Sequence, residues 1–373
     1  MNEPNQVEKF WLDRSDMQRL LDILGENGYE IIGPKVDQGA IVYDRINSTA
    51  ELPQGFSDQQ EPGSYRLLEN GDEFWFNYAV GPHSWKKFLT PPLLPLLKVK
   101  KSDDGLTIDE VLQPRRRFAF LGVRGCELAA LAIQDRVWNS PEHSDSLYQQ
   151  RRADAFIIAV HCATPAATCF CTSMKTGPAC RHGFDIAIME LNAGFVIEAG
   201  SQAGVWLLEK LPVRVATDNE IQQAQLRSQK AVEKITKTML HVDKHRELSD
   251  KLKHPHWKDV ASRCLSCANC TMVCPTCFCH SVEEVSDLNS GDITRQRQWD
   301  SCFNLDFSYT SGTPVRDTIA SRYRQWLTHK LGTWFDQFET SGCVGCGRCI
   351  TWCPVGIDLT KEVATLFEDP SNG

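Results

Sequence analysis

Sixteen cysteines in 373 residues are the feature of this sequence that most clearly indicates chemistry. Eight of them occur in two copies of the pattern Cys-x-x-Cys-x-x-Cys-x-x-x-Cys-Pro. The first copy contains Cys264, Cys267, Cys270 and Cys274, and the second contains Cys343, Cys346, Cys349 and Cys353. Thiolates at this spacing bind [4Fe–4S] cubanes. The sequence therefore predicts two [4Fe–4S] clusters.

The spacing also predicts how the two copies share their ligands, because the cysteine before each proline reaches the other cluster. One cluster is expected on Cys264, Cys267, Cys270 and Cys353, and the other on Cys343, Cys346, Cys349 and Cys274. Gly345 and Gly347 would let the backbone approach sulfur closely. Four-cysteine zinc sites are the competing interpretation, but they rarely combine this triple spacing with Cys-Pro. A cubane with four cysteine ligands has no open position for a substrate, which favours electron transfer over catalysis.

Four further cysteines lie in the first half of the chain: Cys126, Cys162, Cys169 and Cys171. Cys126 follows a predicted buried strand at 118–123, and Cys162 follows another at 156–160. Ligand sites in α/β proteins lie beyond the carboxyl ends of such strands, so the four thiols could hold a third [4Fe–4S] cluster. Their irregular spacing is equally compatible with buried core thiols. Both interpretations stay open on spacing alone.

The remaining cysteines have no clear pattern. Cys180 is either a spare thiol or an alternative fourth ligand of the third site. Cys277 and Cys279 directly follow the first copy of the motif and, with His280 and Cys302, form either another site or packing near the clusters.

Composition and charge restrict the class of protein. With 42% hydrophobic and 24% charged residues the chain is an ordinary globular protein, and a net charge of -8 disfavours nucleic acid as its main partner. The longest apolar run, at 91–97, is short and interrupted by prolines, so no membrane span is expected. The polar N-terminus is unlike a signal peptide. We expect a cytoplasmic protein, where so many cysteines are metal ligands rather than disulfides.

The elements that must position these cysteines fall into two predicted domains. Residues 1–240 are predicted to form an α/β domain, with a strand–turn–helix unit at 118–138 that delivers Cys126 and a hairpin at 185–199. A polar helical stretch from about residue 218 forms the connection. Residues 241–373 are predicted to form a mainly α-helical, ferredoxin-like dicluster domain. The long insert between the two motifs is predicted to be helical.

Several longer motifs carry a family resemblance. They are residues 82–89, Gly122 to Leu128, Thr168 to Met174 with Gly177-Pro178, 264–279, 299–302 and 343–358. In these motifs the chain resembles the beta subunit of cytoplasmic sulfhydrogenase-type NAD(P)-linked [NiFe] hydrogenases and the related electron-transfer subunit of anaerobic sulfite reductase. The resemblance covers nearly all of the chain from about residue 80. One departure is Gly125, where the family more often has proline.

The resemblance implies a protein that carries electrons inside a larger complex. Its partners would be a flavin- and NAD(P)-binding diaphorase subunit, an iron–sulfur small subunit and a [NiFe] large subunit. It also favours the third cluster, because Cys126, Cys162, Cys169 and Cys171 all lie in shared motifs. The chain has neither a dinucleotide-binding glycine pattern after a strand nor a nickel-type cysteine pair near a terminus, so partners must supply both.

Three alternatives remain at this point. The chain could instead be the electron-transfer subunit of an anaerobic sulfite reductase or another sulfur-reducing complex. It could be a sulfur-reducing enzyme by itself, which the leftover thiols would suggest. A redox-sensing regulator that binds nucleic acid is disfavoured by the acidic charge balance.

Overall fold

A computed structural model describes residues 8–102, 105–140 and 144–368 of the chain. The strands are β1 (Phe10–Asp13), β2 (Glu30–Asp37), β3 (Ala40–Arg45), β4 (Phe56–Glu61), β5 (Ser64–Glu69), β6 (Leu93–Ser102), β7 (Gly105–Glu110), β8 (Phe118–Val123), β9 (Phe156–Val160), β10 (Ile186–Glu190), β11 (Gly194–Ala199), β12 (Arg214–Val215), β13 (His280–Ser286), β14 (Ile293–Trp299), β15 (Tyr309–Thr310) and β16 (Thr313–Pro314).

The helices are shorter on average in the second half of the chain. They are α1 (Met17–Glu26), α2 (Lys86–Leu89), α3 (Gly125–Trp138), α4 (Ser146–Ala153), α5 (Gln202–Leu208), α6 (Asp218–Lys234), α7 (His256–Arg263), α8 (Asn269–Met272), α9 (Ile319–Thr328), α10 (Trp334–Phe338), α11 (Arg348–Thr351) and α12 (Leu359–Phe367). Short 3-10 helices occur at Arg14–Asp16, Thr49–Glu51, Val242–Lys251 and Asp306–Ser308, and a π-helical turn, His329–Thr333, joins α9 to α10.

An eight-stranded mixed sheet organises the first half of the chain, in the order β12-β1-β11-β10-β9-β8-β2-β3. The four strands β2, β8, β9 and β10 are parallel neighbours, and the outer pairs are antiparallel. Every residue of β8 and β9 is buried, as expected for apolar parallel strands covered on both faces. The carboxyl ends of β8 and β9 therefore lie side by side, followed by Cys126 and Cys162.

A second sheet crosses the predicted domain connection. Its order is β13-β14-β6-β7, so a hairpin from the second half of the chain pairs with a hairpin from the first half. The expectation of a helical insert between the two cysteine motifs is therefore wrong for its first part, which contains β13 and β14. It is right for the later part, where α9 and α10 lie. The strands were missed because they are polar and neither is fully buried, and because β6, with which β14 pairs, is distant in sequence.

Most other predicted elements are confirmed within a few residues. The strands at 118–123 and 156–160 have the predicted bounds, and the hairpin at 185–199 is present as β10 and β11. Helix α6 begins at Asp218, where Thr217 and Glu220 form a capping box. Along the described residues, no helix is long and apolar enough to cross a membrane.

Two buried clusters of side chains cover the faces of the main sheet, and a third forms the core of the dicluster region. The third contains Trp257, Tyr323, Trp326 and Ile350, and five of the predicted ligand cysteines pack against it. Phe170, from the first half of the chain, is fully buried in that same core. The two halves are thus joined by side-chain packing as well as by the shared sheet.

Candidate iron–sulfur sites

The two cysteine motifs adopt the same local conformation. In the first, Ser266 and Ala268 have positive φ angles of 53° and 64°, and α8 follows. In the second, Gly345 and Gly347 have φ angles of 66° and 76°, and α11 follows. The positions correspond, two and four residues after the first cysteine of each motif. This loop folds the first three cysteines of each copy around one point.

Backbone N–H groups in these loops point at cysteine sulfur atoms. The N–H groups of Ser266, Gly345 and Ile357 donate to Sγ of Cys264, Cys343 and Cys353, each at 3.4 Å. Such hydrogen bonds stabilise a thiolate and tune the reduction potential of the cluster it binds. The motif geometry therefore suits thiolates that carry negative charge.

The first candidate site is an apolar cavity at the surface end of the dicluster region. It is lined by all four side chains predicted for one cluster, Cys264, Cys267, Cys270 and Cys353. Phe303, Trp326 and other apolar residues complete its wall. Cys349, a predicted ligand of the other cluster, also lines it, so the two sites are neighbours.

The second candidate site brings together Cys343, Cys346, Cys349 and Cys274. The Cys349 thiol interacts electrostatically with Cys343, Cys346 and Cys274, and Cys346 also interacts with Cys274. Buried Lys330 donates from Nζ to Sγ of Cys274 at 3.4 Å. The hydrogen bond with Cys277, together with Lys330, holds the pKa of the Cys274 thiol well below its usual range.

The third candidate site lies at the carboxyl ends of β8 and β9. Cys169 interacts electrostatically with Cys171 and Cys162, and Cys126 interacts with Cys171. Gly177 lies against this group: a Cβ added there would be 3.1 Å from Cys171 Sγ and 3.5 Å from the Cys126 nitrogen. The structure thus brings the four N-terminal cysteines together. It places them beside the second motif, because Cys126, Cys169 and Cys171 all interact with Cys346.

Gly125 is explained by the backbone that faces it. A Cβ at this position would lie 2.5 Å from the carbonyl oxygen of Ala179, closer than real Cβ contacts. Helix α3 begins at Gly125 and carries Cys126 in its first turn. The glycine therefore allows close approach of the two segments that hold Cys126 and Cys180.

Two buried arginines flank the third site. Arg348, between Cys346 and Cys349 in the sequence, forms a buried ion pair with Glu127, and its Nη1 atom has no hydrogen-bond partner among the described residues. Arg124 interacts with Cys162, and its Nε atom likewise has no hydrogen-bond partner among the described residues. Buried guanidinium groups next to thiols favour an anionic occupant, and a thiolate-ligated cubane meets that requirement.

Burial raises the pKa of the thiols at this site. The pKa of Cys171 is raised to about 12, and the pKa values of Cys126 and Cys169 are raised well above the usual range. Thiols in such surroundings stay protonated unless a metal displaces the proton. Across residues 8–102, 105–140 and 144–368, no three His, Cys, Asp or Glu side chains lie close enough to hold a single metal ion. A cubane has its four ligands on four separate irons.

Cys180 lies next to the third site, where it interacts with Cys162. It is buried in the core on one face of the main sheet, where its Sγ contacts the carbonyl oxygen of Val123 at 3.9 Å. Its backbone N–H donates to Nδ1 of His161 at 3.1 Å. Cys180 is therefore packed in the core of the main sheet and is still a neighbour of Cys162.

Cys277, Cys279 and Cys302 lie next to the second site. Lys86, a buried residue of α2, donates from Nζ to the carbonyl oxygen of Cys277 at 2.9 Å and lies 3.8 Å above the Trp299 ring. The Cys279 and Cys302 thiols share a hydrogen bond. His280 is exposed and packs its ring near Trp138. The three thiols are therefore a distinct group with two buried lysines, Lys86 and Lys330, around it.

Comparison with known proteins agrees with this geometry. The family model of a 4Fe–4S dicluster domain matches residues 263–357. Sulfhydrogenase 2 subunit beta of Pyrococcus furiosus is 31% identical over 334 residues, which are 87% of this chain and 95% of that relative. The chain belongs to the sulfhydrogenase beta-subunit family.

Like others of the sulfhydrogenase beta-subunit family, the chain is an iron–sulfur, electron-transfer subunit with [4Fe–4S] chemistry. The dicluster match includes both cysteine motifs and the insert between them. No solved structure matches the chain.

Sequence reasoning missed the charged residues around the clusters. Lys86 lies in one of the motifs shared with the sulfhydrogenase beta-subunit family, and Arg348 lies inside the second cysteine motif, so both had a local signal. For Lys330 and Glu127, the sequence contains little local signal of a role near the clusters. Lys330 lies in a polar helical segment, and its role depends on a contact with Cys274, which is distant in sequence.

Proposed function

We propose that this chain relays single electrons through three [4Fe–4S] clusters, between a flavin- and NAD(P)-binding diaphorase subunit and the catalytic subunits of a [NiFe] hydrogenase. The first cluster would use Cys264, Cys267, Cys270 and Cys353. The second would use Cys343, Cys346, Cys349 and Cys274. The third would use Cys126, Cys162, Cys169 and Cys171.

One observation supports this proposal: the second group of thiols adjoins both the first group and the third. Cys349 belongs to the second group and lines the cavity of the first. Cys346 belongs to the second group and interacts with Cys126 and Cys169 of the third. Adjacent clusters with no open coordination position suit conduction, because electrons can pass between them without bound substrate.

The first cluster would form the surface end of this row. Cys267 is exposed, and the apolar side chains of Leu265 and Val355, which line the same cavity, are 62% and 42% exposed. An exposed ligand surrounded by apolar side chains is suited to docking of another redox subunit. The opposite end would be the third cluster, at the carboxyl ends of the central strands β8 and β9.

The residues around the clusters supply binding and electrostatics. When bound, each cubane accepts and releases one electron. The N–H groups of the motif loops donate to the thiolates, and Lys330 donates to Cys274. The buried ion pair of Arg348 with Glu127 fixes the second motif against the start of α3. These contacts hold the neighbouring thiols in place while charge moves.

Iron analysis of full-length variants tests the assignment of clusters. We expect Cys353→Ala, Cys274→Ala and Cys169→Ala each to lose about four irons per chain after anaerobic reconstitution. Cys180→Ala is the matched control and should keep all of its iron. Full-length protein is required, because Phe170 packs into the dicluster core and a 1–240 fragment would expose it. Normal iron content in Cys169→Ala would reject the third cluster.

Electron transfer in the assembled complex tests the relay itself. Cys349→Ser should slow electron flow between nucleotide and hydrogen, while the flavin of the partner protein still reacts with its nucleotide. Loss of that flavin reaction as well would contradict the division of labour. Sulfur-compound reduction by the isolated chain with a chemical electron donor would contradict a pure carrier.

Co-purification separates hydrogenase from the alternative complex. A nickel–iron subunit bound to this chain would support the proposal, and a sirohaem subunit would assign it to a sulfite reductase instead. We further propose a cytoplasmic location and two domains, 1–240 and 241–373. The shared sheet of β6 and β14 makes contact across that division.

A further inference from the structure

Cys279 and Cys302 lie at the base of the β13–β14 hairpin, outside the ligand sets assigned above. His280 and Trp299 are paired across the hairpin, and the N–H of Asp300 donates to the carbonyl oxygen of Cys279 at 2.9 Å. The two cysteines therefore extend from adjacent antiparallel segments. Their thiols share a hydrogen bond, and the N–H of Cys302 also donates to the Cys279 sulfur.

The surroundings of this pair favour reactive thiols over inert packing. Buried Lys86 and Lys330 both act on Cys279, and cations near a thiol favour its thiolate, which is the nucleophile in disulfide chemistry. Both side chains are partly exposed, so protons can exchange with solvent.

The pair also lies beside a ligand of the first cluster, and Cys277 connects it to a ligand of the second. Cys302 interacts with Cys270, assigned to the first cluster. Cys277 interacts with Cys279 and shares a hydrogen bond with Cys274, assigned to the second cluster. Electrons therefore have a short route from the pair to either cubane.

We propose that Cys279 and Cys302 form a reversible dithiol–disulfide couple that exchanges an electron pair with the two clusters of the dicluster region. This rests on the proposed function, because those clusters are its electron donors and acceptors. On oxidation, two S–H bonds break, one S–S bond forms, two protons leave to solvent and one electron passes to each of two oxidised clusters. On reduction, two reduced clusters return one electron each, the S–S bond breaks and both sulfurs take up a proton.

The couple would give the relay a store for electron pairs. Hydride donors and hydrogen deliver electrons in pairs, whereas each cubane carries one electron at a time. A dithiol next to two cubanes can connect transfer of electron pairs with transfer of single electrons, since one disulfide accepts the electrons of two reduced clusters.

The test uses full-length, cluster-loaded protein under anaerobic conditions. Samples are equilibrated with dithiothreitol and its oxidised form at several ratios, alkylated, digested and examined by mass spectrometry. We expect a disulfide that joins the tryptic peptides containing Cys279 and Cys302 under oxidising ratios only. It should disappear in Cys279→Ser and Cys302→Ser and persist in Cys277→Ser, the neighbouring control.

A reductive titration gives the second readout. Wild-type protein in the oxidised state should take up two more electrons per chain than Cys302→Ser, at equal iron content. A fall in iron content in Cys302→Ser would identify that residue as a ligand and overturn the proposal. Absence of the disulfide at every ratio, with iron retained, would overturn it as well. Failure of the proposed function looks different: wild-type protein would then lack iron in the dicluster region or co-purify with a sirohaem subunit, and neither result depends on the Cys279–Cys302 pair.

Discussion

At the scale of single residues, a buried ion pair connects two of the candidate sites. Glu127 directly follows Cys126, and Arg348 lies within the second cysteine motif. Arg348 Nη2 donates to Glu127 Oε1, and both side chains are almost fully buried. Tyr43 donates to the other carboxylate oxygen at 2.9 Å. The pair is thus the centre of a hydrogen-bond network between α3 and the second motif.

We expect Glu127→Gln to lower the thermal unfolding midpoint of the cluster-loaded protein. Removing one partner of a buried ion pair leaves an uncompensated charge, which costs about 3–5 kcal/mol. Glu284→Gln is the control, because Glu284 pairs with Arg295 at the surface, where such pairs contribute about 0–1 kcal/mol. Equal midpoints for the two variants, measured by calorimetry, would contradict a stabilising role for the Glu127 pair.

At the scale of elements, the loop of the second motif is also a docking surface for the first half of the chain. The N–H of Phe170 donates to the carbonyl oxygen of Gly345 at 2.8 Å. A Cβ on Gly347 would lie 2.5 Å from the carbonyl oxygen of Thr168. Glycine is therefore needed here for close backbone approach, as well as for the positive φ angle.

A comparison of Gly347→Ala with Gly291→Ala separates the need for close backbone approach from the need for a positive φ angle. Both glycines have φ angles above 70°, but a Cβ on Gly291 would meet nothing within 4 Å. A left-handed conformation costs a residue with a side chain about 1–2 kcal/mol, which is all that Gly291→Ala should show. Gly347→Ala should in addition displace the segment at 168–171 and reduce iron at the second and third sites. Iron content and unfolding midpoints measure the difference, and identical behaviour would reject the docking role.

At the scale of the whole molecule, two phenylalanines connect the two halves. Phe170, between Cys169 and Cys171, is buried in the dicluster core. Phe278, between Cys277 and Cys279, packs against the cores on the other side, near Trp138 and Trp334. Both occur in the same four-residue sequence, Thr-Cys-Phe-Cys. Cysteines and their intervening aromatic residue thus join the candidate sites to the interface.

Iron removal should therefore loosen both halves. A cluster that binds only the folded state stabilises that state, and its loss removes this contribution wherever the ligands connect elements. After chelation, we expect faster amide hydrogen exchange in α3 as well as in α11. Helix α1, which packs on β2 and contains no cysteine, serves as the internal reference. Changes restricted to 263–357 would show that the N-terminal thiols hold no cluster.

The sequence by itself determined the features that depend on local spacing. The two Cys-Pro motifs indicate the cluster type, because three cysteines separated by two residues each in one loop can all bind the same cubane. The strands at 118–123 and 156–160 could be predicted because continuous apolar runs are buried in any fold. The family resemblance rested on the same motifs.

Only the tertiary structure decided which distant residues meet. It placed Cys180 against the Val123 carbonyl oxygen, paired Cys279 with Cys302 and brought Lys330 to Cys274. It also showed that β13 and β14 join strands from the first half of the chain. These contacts link residues that are far apart in sequence, and their partners are chosen by packing and charge in the folded chain, which no local pattern encodes.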